Sequence, residues 1–135
     1  MEIKMEVGAK HEICVTVEKN MTAASMKSGN LDVLATPYMI ALMEQASAEL
    51  TQQYLPDGIS TVGTLVNISH LAATAMGAQV KVVSELVSFD GRKATFNVTA
   101  YDNAGVIGKG THERFTIKIE SFLRKTEERK AITNQ

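Results

Sequence analysis

Cys14 is the only cysteine in the chain, and tryptophan is absent. An intrachain disulfide is therefore excluded, and nothing in the cysteine usage points to secretion. Aromatics are confined to four Phe and three Tyr, so a core must come mainly from aliphatic side chains and Met. Neither sign of charge is in surplus. The 14 basic and 15 acidic side chains leave a formal charge of −1, which gives no basic excess to hold a phosphate backbone and argues against nucleic acid as a partner. No apolar run approaches the roughly 20 residues of a membrane-spanning helix, and Met1 to Glu6 lack the apolar stretch of a signal peptide. A cytoplasmic protein with no membrane partner is expected. His11 and Cys14 have no companions at ligand spacing, so no metal is expected. The G-x-S-x-G, G-x-G-x-x-G and Walker patterns are all missing, which removes the usual serine-hydrolase and nucleotide-fold templates.

What is present fits one domain spanning residues 1–135. Hydrophobic residues make up 44% and charged residues 21%, near the globular average and unlike a disordered chain. Residues 11–18 alternate and are rich in β-branched side chains, predicting a strand. Residues 20–35 are small and polar and read as a loop or lid. Thr36 suits an N-cap and Pro37 a first helical position, opening a helix that runs to about Leu55 before Pro56-Asp57-Gly58 stops it. Strand patterns follow at 60–72, 78–89, 92–101 and 106–119, with turns at Asp90-Gly91 and Asp102 to Gly105. Phe122 to Lys130 is highly charged and reads as a short solvated helix. Tight hairpins impose antiparallel pairing. One antiparallel sheet must then bury the stripe of one long helix, an α+β roll.

Three residues stand out. Glu44 has Ile40, Ala41, Ser47 and Ala48 as its helical neighbours, whereas Glu49 is surrounded by Gln45, Gln52 and Gln53. Glu44 thus lies on a packed or partly enclosed face, where a carboxyl pKa rises unless the group is paired. Position alone also fits an edge carboxylate that reaches water, a Lys or an Arg. His70 shares a strand face with Val66, Ile68 and Ala72. From spacing alone it reads as a satisfied core histidine ahead of a proton-transfer group, although imidazole is the side chain best suited to that transfer. Thr36 is a cap by position, yet the first-turn amides beside it suit a carbonyl oxygen or an anion. Thr36 and Glu44 are eight residues apart, roughly 12 Å along a helix. They meet only if Thr36 folds back on a loop or if a second subunit completes the site. The cluster His112-Glu113-Arg114 reads as a solvated face or a subunit contact, with Gly108 and Gly110 on the same face as His112 and Arg114.

The segment Ala35-Thr36-Pro37-Tyr38-Met39-Ile40-Ala41-Leu42-Met43-Glu44-Gln45-Ala46 resembles the central-helix motif of hotdog-fold thioesterases, and within them the fluoroacetyl-CoA thioesterase branch. Gly63-Thr64, Ser69 to Thr74 and Gly108 to Arg114 agree in order and spacing across roughly residues 5–125. The resemblance implies a hotdog fold, an antiparallel sheet wrapped around one long central helix. It implies a homodimer, with a tetramer of two such dimers left open, and active sites at the subunit interface. It also implies hydrolysis of an acyl-CoA thioester without a cofactor, by a triad matching Thr36, Glu44 and His70. Gly63 would lie against the acyl group with its amide available to the thioester carbonyl. In this role Glu44 activates water or attacks the carbonyl, His70 transfers the proton, and Thr36 orients Glu44 or stabilises the intermediate. The fluoroacetyl-specific enzyme carries aromatic lid residues before this helix, whereas Met21 to Leu34 contain none here, with Lys27 and Asn30 at the corresponding places. Fluoroacetyl selectivity therefore does not carry over, and a short or medium acyl group is the expected substrate class. A non-catalytic acyl-CoA-binding hotdog protein is the alternative. A hotdog dehydratase is disfavoured, since no Asp/His pair of the hydratase type is evident within a short helical segment.

Overall fold

The computed structural model describes residues 2–133. Strand β1 (Lys10–Thr16) leads through a 3-10 turn (Lys19–Met21) and helix α1 (Ala23–Met26) into the long helix α2 (Thr36–Gln52). Four strands follow: β2 (Ile59–His70), β3 (Gln79–Phe89), β4 (Lys93–Asp102) and β5 (Gly105–Lys118). Helix α3 (Ile119–Thr133) closes the order. The sheet runs β1-β3-β4-β5-β2, and every pairing is antiparallel. The predicted α+β hotdog arrangement is the one observed.

Alternation explains which face is covered. In β4 the side chains of Ala94, Phe96, Val98 and Ala100 are buried, as are Val80, Val82 and Leu86 of β3. Helix α2 lies across this face and presents Met39, Leu42, Met43, Ala46 and Leu50 to it. The buried hydroxyl of Ser47 sits 2.8 Å from Ser84 Oγ and donates to the Met43 carbonyl, so the seam holds no orphaned hydroxyl there.

Two expectations are corrected. Thr36 is not the cap of α2: Ala35 occupies that place with an extended backbone, and Thr36 and Pro37 form the first turn. The Thr36 hydroxyl is engaged elsewhere, as shown below. Residues 20–35 are also more structured than a loop. Met21 and Leu34 are buried, and bridges Thr22–Leu34 and Val33–Ala75 fasten the segment. The small polar composition hid these anchors.

Strand β2 carries two features that shape the site. It is an edge strand, paired only with β5 among the described residues. It also has a bulge between Gly63 and Leu65, with Gly63 opposite Arg114 and Leu65 opposite Glu113. Side chains an odd number of residues apart point to opposite faces of a strand, and the extra residue Thr64 cancels that inversion. Gly63 and His70 therefore both face α2. Beyond the bulge β2 and β5 run very close: a Cβ on Gly110 would collide with the Asn67 carbonyl. Replacing Gly110 with Ala is expected to destabilise the fold, and Phe96→Ala to cost about 3–5 kcal/mol by emptying the core. Urea unfolding of both variants checks the two effects.

Candidate active site

Two polar clusters lie on the α2 face of the sheet. In the first, the Thr36 hydroxyl lies 2.7 Å from His70 Nδ1. The start of α2 and the end of β2 are brought together because the helix runs antiparallel to that strand. His70 Nε2 is buried and has no hydrogen-bond partner among the described residues. Burial holds the imidazole pKa below its ordinary 6.5, partly offset by the backbone at Ala72. The pair lines a cavity of about 320 Å³ whose other walls include Ala23, Val33, Leu34, Ala72 and Ala73. Its lining is small and largely apolar.

The second cluster centres on Glu44. Its Oε2 is 3.6 Å from Arg114 Nη1, with the Glu44 side chain 43% exposed and the Arg114 side chain 9%. Arg114 is held from three directions. Nε donates to Thr61 Oγ1 at 2.8 Å, Nη2 donates to the Thr61 carbonyl at 3.1 Å, and Nη1 lies 3.2 Å from His112 Nε2. The Leu65 carbonyl is 2.8 Å from His112 Nδ1. A carbonyl only accepts, so Nδ1 carries the proton and Nε2 accepts from Arg114. The His112 ring stacks on Phe96, with centroids 5.8 Å apart. Burial, then the charge of Arg114, pushes its pKa down against the Leu65 carbonyl and the charges of Glu44 and Glu113. The ring is therefore neutral, as its acceptor role requires. Gly63 makes room for Glu44: a Cβ there would stand 2.7 Å from Oε2.

The structure corrects the reading of His112 and Arg114. They are 1% and 8% exposed, not a solvated face. Of the glycines that share their side of β5, Gly108 lets Met39 of α2 pack against it and Gly110 lets the β2 backbone approach. The sequence signal was present in that pairing of glycines with polar residues. Thr61, which completes the network, had no signal of its own. Glu49, read as solvated, is exposed but bonds His11 at 2.8 Å.

Thr36 does not orient Glu44 within one chain. It lies within the first turn of a continuous helix rather than on a folded-back loop, roughly 12 Å from Glu44 by helical rise. Its hydroxyl is bonded to His70. A single chain thus brings Thr36 and His70 together, and Glu44, Gly63, Arg114 and His112 together, but not the two groups with each other.

The model of the fluoroacetyl-CoA-specific thioesterase family matches residues 17–120, which contain both clusters. The chain belongs to this family. A fluoroacetyl-CoA thioesterase from Streptantibioticus cattleyicolor is 40% identical over 98 residues, 73% of this chain and 70% of that protein. The crystal structure of a fluoroacetyl-CoA thioesterase superposes with a TM-score of 0.89 at 34% identity, covering 93% of this chain and 97% of the other. A thioesterase superfamily member from Thermus thermophilus gives 0.86 at 27% identity, covering 96% and 98%. Family membership places the chain among thioester hydrolases of the hotdog fold.

A pH dependence follows from the two depressed imidazoles. The unfolded chain takes up their protons first as pH falls, so stability is full above the ordinary 6.5 and declines as pH drops toward the folded-state values. The fall in unfolding midpoint between about pH 7 and about pH 5 is expected to shrink in His112→Gln, which keeps a donor and an acceptor without titrating.

Proposed function

We propose that this protein hydrolyses short or medium acyl-CoA thioesters to the free acid and CoA, with Glu44, His70 and Thr36 as the reacting set. The observation that carries this reading is the Thr36–His70 pair lining an apolar cavity, with His70 Nε2 left unpartnered. With the Thr36 hydroxyl donating to Nδ1, the neutral ring carries its proton on Nε2, available to the departing sulfur. Glu44 takes a proton from water as it adds to the carbonyl, or attacks the carbonyl itself. The C–S bond breaks and the thiolate takes the Nε2 proton of His70, which is replaced by the proton released from water. Where Glu44 itself attacks, water then cleaves the acyl–Glu44 anhydride to the free acid and restores the carboxylate. Arg114, 3.6 Å away, orients the carboxylate, and Gly63 leaves space for the acyl carbon beside it.

The reading requires two copies, each a hotdog domain spanning the chain, in a cytoplasmic setting. Edge strand β2 offers unpaired backbone groups and exposed Leu65 and Val66, 44% and 46% accessible. Antiparallel pairing of two β2 strands about a twofold at Asn67, with Thr64 left out of the ladder by the bulge, sets His70 of the partner subunit opposite Gly63. Glu44 of one protomer then meets the partner's His70 and Thr36 across a homodimer interface. The small residues around the cavity suit a short or medium acyl tail. Met21 to Leu34 contain no aromatic residue to close over a two-carbon group, so selectivity for fluoroacetyl-CoA is not expected.

Thiol release across acyl-CoAs from acetyl to octanoyl, with fluoroacetyl-CoA included, tests the function. Glu44→Gln is expected to lower kcat by about a hundredfold or more while the protein stays folded. Full turnover in that variant overturns the assignment, and tight binding without release across the panel would favour a non-catalytic acyl-CoA-binding protein. Mixing inactive Glu44→Gln and His70→Ala chains is expected to restore activity, because one site of each mixed dimer is then intact. Because burial depresses the His70 pKa, the acidic limb of kcat/KM is expected below the ordinary imidazole value of 6.5.

A further inference from the structure

A basic cleft lies outside both clusters. It encloses about 550 Å³ between the start of β2, the end of β5 and helix α3, and Arg92, Lys118 and Lys125 project around it. None of these three cations has an ion pair among the described residues. No Asp or Glu is among the described residues lining it, while Ile59, Ile117 and Phe122 give it an apolar floor. Three unneutralised cations over an apolar and aromatic surface suit a ligand that is anionic at several points and carries a flat ring.

Its place along the sheet supplies a distance. Ile59 pairs with Lys118, and Gly63, which lies against Glu44, pairs with Arg114 on the same ladder. Four residues of strand separate them, about 13 Å at 3.3 Å per residue. In CoA, thirteen bonds run from the sulfur to the first phosphorus. At the reach of an extended peptide, roughly 3.5 Å for three backbone bonds, that arm spans about 15 Å. The arm is thus long enough to reach from a thioester beside Glu44 to this cleft.

The geometry points to the cleft as the seat of the 3′-phosphoadenosine diphosphate of CoA. Arg92, Lys118 and Lys125 meet the phosphates, and the adenine lies on Phe122. The inference rests on the acyl-CoA reading above and adds the place where the nucleotide end of CoA is held. It makes the enzyme selective for CoA esters over shorter thioesters of the same acid.

The test compares one acyl group carried on CoA, on dephospho-CoA, on pantetheine and on acyl-carrier protein. An Arg92→Ala/Lys125→Ala variant is expected to lose roughly tenfold or more in kcat/KM for the CoA ester, chiefly through KM. Less is expected to be lost on dephospho-CoA, and nothing on pantetheine. Calorimetry with adenosine 3′,5′-bisphosphate reads the cleft without catalysis. Binding that weakens in the variant and with rising salt supports the inference even if no thioester is hydrolysed, which would defeat only the catalytic reading. Equal losses on the CoA and pantetheine esters, or no binding of the bisphosphate, overturn it. A loss confined to the carrier-protein ester also overturns it, since the cleft would then serve a protein surface.

Discussion

The site depends on the Arg114 guanidinium. This group is almost fully withdrawn from solvent, which is costly for a cation unless its donors are satisfied. Thr61 on β2, His112 on β5 and Glu44 on α2 each take one of its edges. Helix and edge strand are thereby referenced to one planar fork, and the carboxylate is set where Gly63 leaves space for it. His112 adds a direction to this network. Its Nδ1 proton is committed to the Leu65 carbonyl, so only the neutral tautomer with a free Nε2 lone pair fits beside Arg114.

The same architecture divides the chemistry between two ends of one helix. A rigid α2 cannot fold Thr36 back to Glu44, and β2 carries Gly63 and His70 apart by the same antiparallel logic. The proposed twofold at the exposed edge of β2 would bring together what one chain keeps separate. In that dimer the apolar cavity, the unpartnered imidazole nitrogen and the half-exposed carboxylate would be parts of one site.

Much of this was legible in the sequence because it follows from periodicity. The clean alternation of Ala94, Phe96, Val98 and Ala100 announced a half-buried strand, and the run between Pro37 and Pro56 announced a long helix. Glu44 was distinguishable from Glu49 by its apolar helical neighbours. The misreadings have physical causes as well. Thr36 looks like a cap because its residue type commonly caps, but a nearby histidine competes for the same hydroxyl. His112 and Arg114 look solvated because buried charge is rare, and only their tertiary partners make burial tolerable. The bulge at Thr64 leaves no local trace, so a pattern read strictly by twos places Gly63 and His70 on opposite sides.

That bulge has a consequence for how this segment can vary. Thr64 is the one residue of this stretch without a partner on β5, so its loss would leave Gly63 opposite Arg114 and still facing α2. Losing a paired residue such as Asn67 would instead slip the register and turn one end of β2 over, separating the faces of Gly63 and His70. Length is therefore expected to vary at the bulge alone, with substitution at constant length along the rest of the strand.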